Sequence, residues 1–271
     1  MKKGILLFAY NTEFDYVNLA VICAKRLKKH LGLPITLVTD NKKLIKDSEF
    51  FDNVIELEDL SNQQKRFYNG IDSQVFTWKN LTRVYSYDLS PYDKTLVVDV
   101  DYIVNSDFLL KCMDLQADFL IFKEYNDLAK TRKNHQFEYI TNFGIPFYWA
   151  TVFVFEKNKK NEIFFNLLKF IKENWDYYRL IYEISDTKFR NDFAFSIAIH
   201  IISGYTTNSF YNTFPGKIHL VQDRDFLIKS AENSLLFLVE DERCQNNYSP
   251  ILVNNLDVHV MNKFNILEVL S

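Results

Sequence analysis

Two aspartates one residue apart, Asp99 and Asp101, stand at the end of the apolar run 94–98, KTLVV. Neighbouring carboxylates repel unless a cation offsets them, so this triplet is a candidate site for a divalent ion. On an extended strand the two side chains share one face, with Cα atoms roughly 6.6 to 7 Å apart, and one ion could bridge them. Oxygen donors of this kind suit a hard ion, Mn²⁺ or Mg²⁺. Such an ion can stabilise the negative charge of a leaving diphosphate. The competing reading is a solvated turn, because a lone DxD also arises by chance.

The elements around the triplet must hold it at a ligand-accessible edge. Pro91, Tyr92 and Asp93 read as a turn, and KTLVV as a buried β-branched strand that delivers Asp99, Val100 and Asp101 at its tip. In open α/β sheets, ligands collect at the carboxyl ends of strands. Upstream, residues 4–10 read as a buried strand, 15–30 as a helix stopped by Gly32 and Pro34, 34–39 as a second strand and 53–57 as a third. Residues 73–89 are expected to form a helix, from Val75, Trp78, Leu81, Val84 and Tyr85 on one face. Lys79 and Arg83 would then lie one turn apart.

Downstream, strands are expected over 117–122, 147–155, 235–239 and 251–253, and helices over 161–178 and 191–202. Residues 123–142, with the basic run KTRKNH, read as a long loop. Strands alternating with helices predict an α/β fold around a mainly parallel sheet, in one domain over 1–271.

Composition narrows the partners. A net charge of −3 offers no global attraction to nucleic acid. With 48% hydrophobic and 25% charged residues, a packed core is expected rather than disorder. Cys23, Cys112 and Cys244 are odd in number and far apart, which suggests neither a disulfide framework nor a CxxC metal site. The amino-terminal apolar run is too short for a signal peptide, and no stretch reaches the roughly 20 apolar residues of a membrane span. A cytoplasmic protein is expected.

Residues 79–108, KNLTRVYSYDLSPYDKTLVVDVDYIVNSDF, resemble the GT-A glycosyltransferases of the glycogenin and bacterial galactosyltransferase type. There a basic helix leads through a turn and a buried strand to the DxD. The resemblance implies a single GT-A (Rossmann-like) domain, with a nucleotide-sugar part over about 1–110 and an acceptor part over about 111–271. It implies a metal-dependent transfer from a nucleoside diphosphate sugar, with a UDP-sugar as the first expectation, to a hydroxyl of a saccharide.

By the same resemblance Ala9, Tyr10 and Asn11 would grip the base and ribose, with Asp40 near the base. Lys79, Arg83 and Val100 would approach the donor. DVHVMNK at 257–263 is similar to the family's closing motif, so His259 would be a third metal ligand and Lys263 a diphosphate contact. The chain departs from the family in lacking a glycine between these two residues. Trp149 and Thr151, with Ala150, fall where the family lines its acceptor pocket; an incidental core strand is the alternative. Asp192 falls where an acidic residue underlies the sugar, as general base or hydroxyl contact; a helix N-cap is the alternative.

Other readings separate by chemistry. A nucleotidyltransferase would want a glycine-rich basic loop after the first strand, where this chain has AYNTEFD. A non-catalytic sugar-nucleotide binder, or a virus-type enzyme modifying DNA, would use the same scaffold.

Overall fold

The computed structural model describes residues 1–57, 64–68, 70, 74–79, 82–132, 137–142, 144–206, 211–244 and 246–271. In chain order the first half gives β1 (Lys3–Phe8), α1 (Tyr16–Leu31), β2 (Ile35–Thr39), β3 (Asn53–Glu56), β4 (Gln64–Tyr68), β5 (Gln74–Trp78), α2 (Ser86–Leu89), β6 (Lys94–Val98), β7 (Tyr102–Ile103), α3 (Phe108–Met113), β8 (Phe119–Phe122) and β9 (Tyr125–Asp127). The second half gives β10 (Trp149–Glu156), α4 (Lys159–Glu173), α5 (Trp175–Ile181), α6 (Asn191–Ile202), β11 (Asn212–Thr213), β12 (Ile218–Val221), β13 (Phe226–Ala231), β14 (Ser234–Glu240), β15 (Tyr248–Asn254), β16 (Val258–Val260) and α7 (Lys263–Leu270).

Seven strands form the main sheet in the order β11-β8-β10-β6-β1-β2-β3. Within it β1 pairs in parallel with β2 and β6, β2 with β3, and β8 with β11; only β10 runs against its neighbours. The mainly parallel α/β sheet expected from the alternating pattern is therefore what the chain forms. β1, β2 and β6 are buried nearly end to end, as parallel strands covered on both faces must be.

Local chemistry explains the helix ends. Asp15 caps α1 by accepting from the Asn18 amide, and Gly32, at φ 63°, closes it with a bond to the Lys28 carbonyl. Asn158 caps α4 through the Asn161 amide, and Asn262 caps α7 through the Asn265 amide. The many phenylalanines find their use between β8, β10, α4 and α6. There Phe119, Phe153, Phe155, Phe164, Phe165 and Phe195 are fully buried and pack ring against ring.

A second sheet, β7-β16-β12-β9, carries the carboxyl-terminal motif back to the metal-candidate turn. Beside it β13, β14 and β15 make an antiparallel meander. Among the described residues, no helix is long and apolar enough to cross a membrane.

Several expectations are corrected. The helix over 73–89 is instead the strand β5, a 3₁₀ turn over Thr82–Tyr85 and the single turn α2; Ser73, Asn80 and Leu81 lie outside the described residues. QVFTW is rich in β-formers, and pairing with β4 outweighs a three-residue apolar spacing that leaves Val75 on the surface. The helix over 161–178 breaks at Asn174 into α4 and α5. The loop over 123–142 contains β9, while part of KTRKNH, residues 133–135, falls outside the description.

Candidate functional site

The site begins where β6 ends. The Asp99 amide donates to the Thr151 carbonyl of β10 at 2.9 Å, and the Tyr102 amide returns to the Asp99 carbonyl at 3.0 Å. Residues 99–102 therefore turn rather than run straight. Asp99 and Asp101 converge through that turn, which corrects the expectation that both share one face of an extended strand.

The turn feeds β7, and β7 pairs antiparallel with β16 in a register that sets His259 opposite Tyr102. The Val260 amide also donates to the Asp101 carbonyl at 2.9 Å. This pairing brings His259 Nε2 within 3.4 Å of Asp101 Oδ1. Asp99, Asp101 and His259 each offer a ligand atom within 4.8 Å of the others. Lys263, the first residue of α7, places Nζ 3.9 Å from Asp101 Oδ2 and donates to the Tyr16 hydroxyl at 3.1 Å.

The donor set fits a divalent ion. Two carboxylates and an imidazole are oxygen-rich ligands of the sort that Mn²⁺ or Mg²⁺ accept. Nε2 of His259 is the ring nitrogen that faces Asp101, and Nδ1 points away into the protein, where it is buried without a hydrogen-bond partner.

Arg83 stands behind the pair. Its guanidinium donates to Asp99 Oδ1 through Nη2 and to the Ala150 carbonyl through Nη1 at 2.6 Å. The Ala150 amide in turn donates to Asp192 Oδ1 at 2.9 Å, so one residue of β10 is held through both its backbone groups. Arg190 approaches the other Asp192 oxygen at 3.4 Å. Burial pushes the Arg83 guanidinium down to about 10, against the upward pull of Asp192 and Asp101. Just before β16, burial lifts the Asp257 carboxyl to about 6, although hydrogen bonds from Asn105 and Ser106 pull the other way.

Asp99, Asp101, His259, Lys263, Arg83 and Asp192 line a cleft of about 750 Å³, within the usual range for small-molecule sites. Of the residues singled out from sequence, Tyr10, Lys79, Arg83, Asp99, Val100, Asp101, Trp149, Thr151, Asp192, His259 and Lys263 line it. Ala9, Asn11 and Asp40 do not. Ala9 is buried in β-type pairing with Val38. Asn11 is spent on α1, accepting from the Val17 amide and donating to Asp15, both at 2.8 Å. Asp40 holds Lys79 in an ion pair at 3.0 Å. The Tyr10 hydroxyl meets Thr82 at 2.7 Å.

Sequence reasoning passed over Tyr16, Trp78, Arg132, Phe189 and Arg190, which also line the cleft. No short spacing marks them as a group, because they come from α1, β5, the segment after β9 and the segment before α6.

No protein-family profile matches the chain, and no curated protein does. Among solved structures it is similar to the glycosyltransferase GlyE of Streptococcus pneumoniae TIGR4, at 14% identity and a TM-score of 0.45, over 79% of this chain and 46% of that one. It is also similar to an active-site mutant of LgtC, at 12% identity and 0.47, over 72% of this chain and 68% of that one. A third likeness is to the bifunctional IspDF of Campylobacter jejuni, at 15% and 0.38, over 73% and 47%. This chain thus spans about half the length of the first of these. At such scores the likenesses carry no functional argument, and the site must speak through its own residues.

Proposed function

We propose that this protein is a GT-A-type glycosyltransferase acting on a nucleoside diphosphate sugar, with a saccharide hydroxyl as acceptor and 1–271 as one catalytic unit. The observation that carries the reading is the convergence of Asp99, Asp101 and His259 within 4.8 Å at the carboxyl end of a buried parallel strand, inside a substrate-sized cleft. Asp99, Asp101 and His259 would hold Mn²⁺ or Mg²⁺, which supplies positive charge to the leaving diphosphate.

The chain's own residues do the rest. Lys263, held by Tyr16 beside Asp101, meets phosphate oxygens. Tyr10 and Lys79 belong to the donor side, and a UDP-sugar is the donor to try first. Trp149 and Thr151 shape the acceptor side. Asp192 is held by the Ala150 amide and by Arg190, an arrangement suited to fixing a sugar hydroxyl.

Against nucleotidyl transfer, the segment after β1 leaves no phosphate cradle: Asp15 and Asn11 already satisfy the amides that open α1. The test is Mn²⁺-dependent hydrolysis or transfer across a panel of sugar nucleotides. Asp101→Ala is expected to lower kcat/KM by about 100-fold or more. Turnover unchanged in that variant, or in excess chelator, rejects the reading.

A further inference from the structure

Arg83 is the most unusual charge in the cleft wall. Its side chain is 3% exposed, yet it meets the carboxylate of Asp99, a residue of the candidate metal set. One arm of its fork is anchored on the Ala150 carbonyl, while its Nε is buried without a partner. Asp101 and Asp192 add their charge to the same guanidinium. Two close carboxylates would otherwise repel within a low-dielectric wall, and breaking a buried pair leaves an uncompensated charge. The guanidinium offsets Asp99, as the Lys263 ammonium 3.9 Å away offsets Asp101.

The same contact sets a limit on ion binding. An ion seated among Asp99, Asp101 and His259 shares Asp99 with a fixed positive charge, and like charges at that range oppose each other.

We propose that Arg83 is a resident counter-cation that competes with the divalent ion for Asp99 and holds metal affinity down. Ion arrival displaces it from Asp99 or splits the carboxylate between them. Arg83 acts through Asp99, as a positioning residue. The inference rests on the metal reading of the site given above, and goes beyond it in naming the group that tunes the affinity.

The experiment is Mn²⁺ binding to the whole chain, followed by electron paramagnetic resonance, in wild type and Arg83→Gln. Glutamine removes the charge and leaves a neutral amide in its place. Arg83→Gln should bind Mn²⁺ about tenfold more tightly than wild type, within the usual span of intersite coupling. Equal or weaker binding, with wild type binding normally, overturns the inference and leaves the metal reading standing. Absence of binding to both proteins overturns both.

Should Arg83→Gln fail to fold, arginine side-chain nuclear magnetic resonance of wild type decides. The Nη groups held by Asp99 and Ala150 should give restricted-rotation signals that shift or collapse on adding Mg²⁺. Arg83 signals unmoved while calorimetry registers Mg²⁺ binding overturn the proposal.

Discussion

Arg132 shows what a buried charge does in this protein when it is fully matched. Its fork donates to Asp127 at 3.0 and 2.7 Å and to Asp225 at 2.9 and 2.5 Å. Those side chains are 3% and 0% exposed. Burial alone would push the guanidinium down, but the bonds to Asp225 and Asp127 outweigh it and hold it above its usual range. Gln222 adds a bond to Asp127, and Asp225 also accepts from the Glu240 amide, so the fork ties β9 and β12 to the meander. Arg132→Ala would leave two buried carboxylates without their counter-charge and is expected to cost about 3 to 5 kcal/mol, read from urea unfolding. A loss under about 1 kcal/mol would show that the remaining donors, among them Gln222 and the Glu240 amide, satisfy them without Arg132. Arg83 is the contrasting case, with one acid held directly and one nitrogen left over.

Elements in this fold depend on close approach at few points. In β1, a Cβ added to Gly4 would run into the ring of Tyr92, whose hydroxyl meets Thr36 on β2 at 2.8 Å. Gly4→Ala should therefore cost about 1 to 3 kcal/mol by overpacking, visible as a lower Tm by several degrees. An unchanged Tm would mean the ring has room to move.

The β9–β12 pairing carries a pH dependence. His219 lies opposite Asn126, whose amide nitrogen sits 3.0 Å from Nδ1, and that bond requires an unprotonated acceptor nitrogen. Burial, and then Lys217, lower the His219 value below that of an ordinary imidazole. A lowered folded value means the native state resists protonation, so the contribution is present above about pH 6.5 and is lost as pH falls through the lowered value. Urea midpoints at pH 7.5 and pH 5 should differ less in His219→Gln than in wild type. Equal pH dependence in the two would exclude this imidazole as a source.

At the scale of the molecule, ion binding and global stability are linked, because the ligands come from segments far apart in the chain. Asp99 and Asp101 follow β6, while His259 lies on β16 and Lys263 opens α7. An ion that binds only the assembled site adds about 2.7 kcal/mol when present at 100 times its Kd. Saturating Mn²⁺ should raise the Tm of wild type, and Asp101→Ala should show no such rise. A rise of equal size in that variant would place the ion elsewhere.

The amino-acid order alone determined the alternation that makes an α/β sheet, the strand KTLVV, the paired aspartates at its tip and the stop of α1 at Gly32. All of these are set by apolar runs and by polar groups within a few residues of one another. It pointed by likeness to His259 and Lys263 but could not seat them. Only the tertiary structure decided that β16 lies against β7 in the register that faces His259 towards Asp101. It also decided that 74–78 pairs as a strand and that Arg83 turns inward on Asp99 rather than into solvent. Pairing and register between distant segments are fixed by side-chain packing and by which buried polar groups find partners. Those are properties of neighbours in space, on which local spacing carries no information.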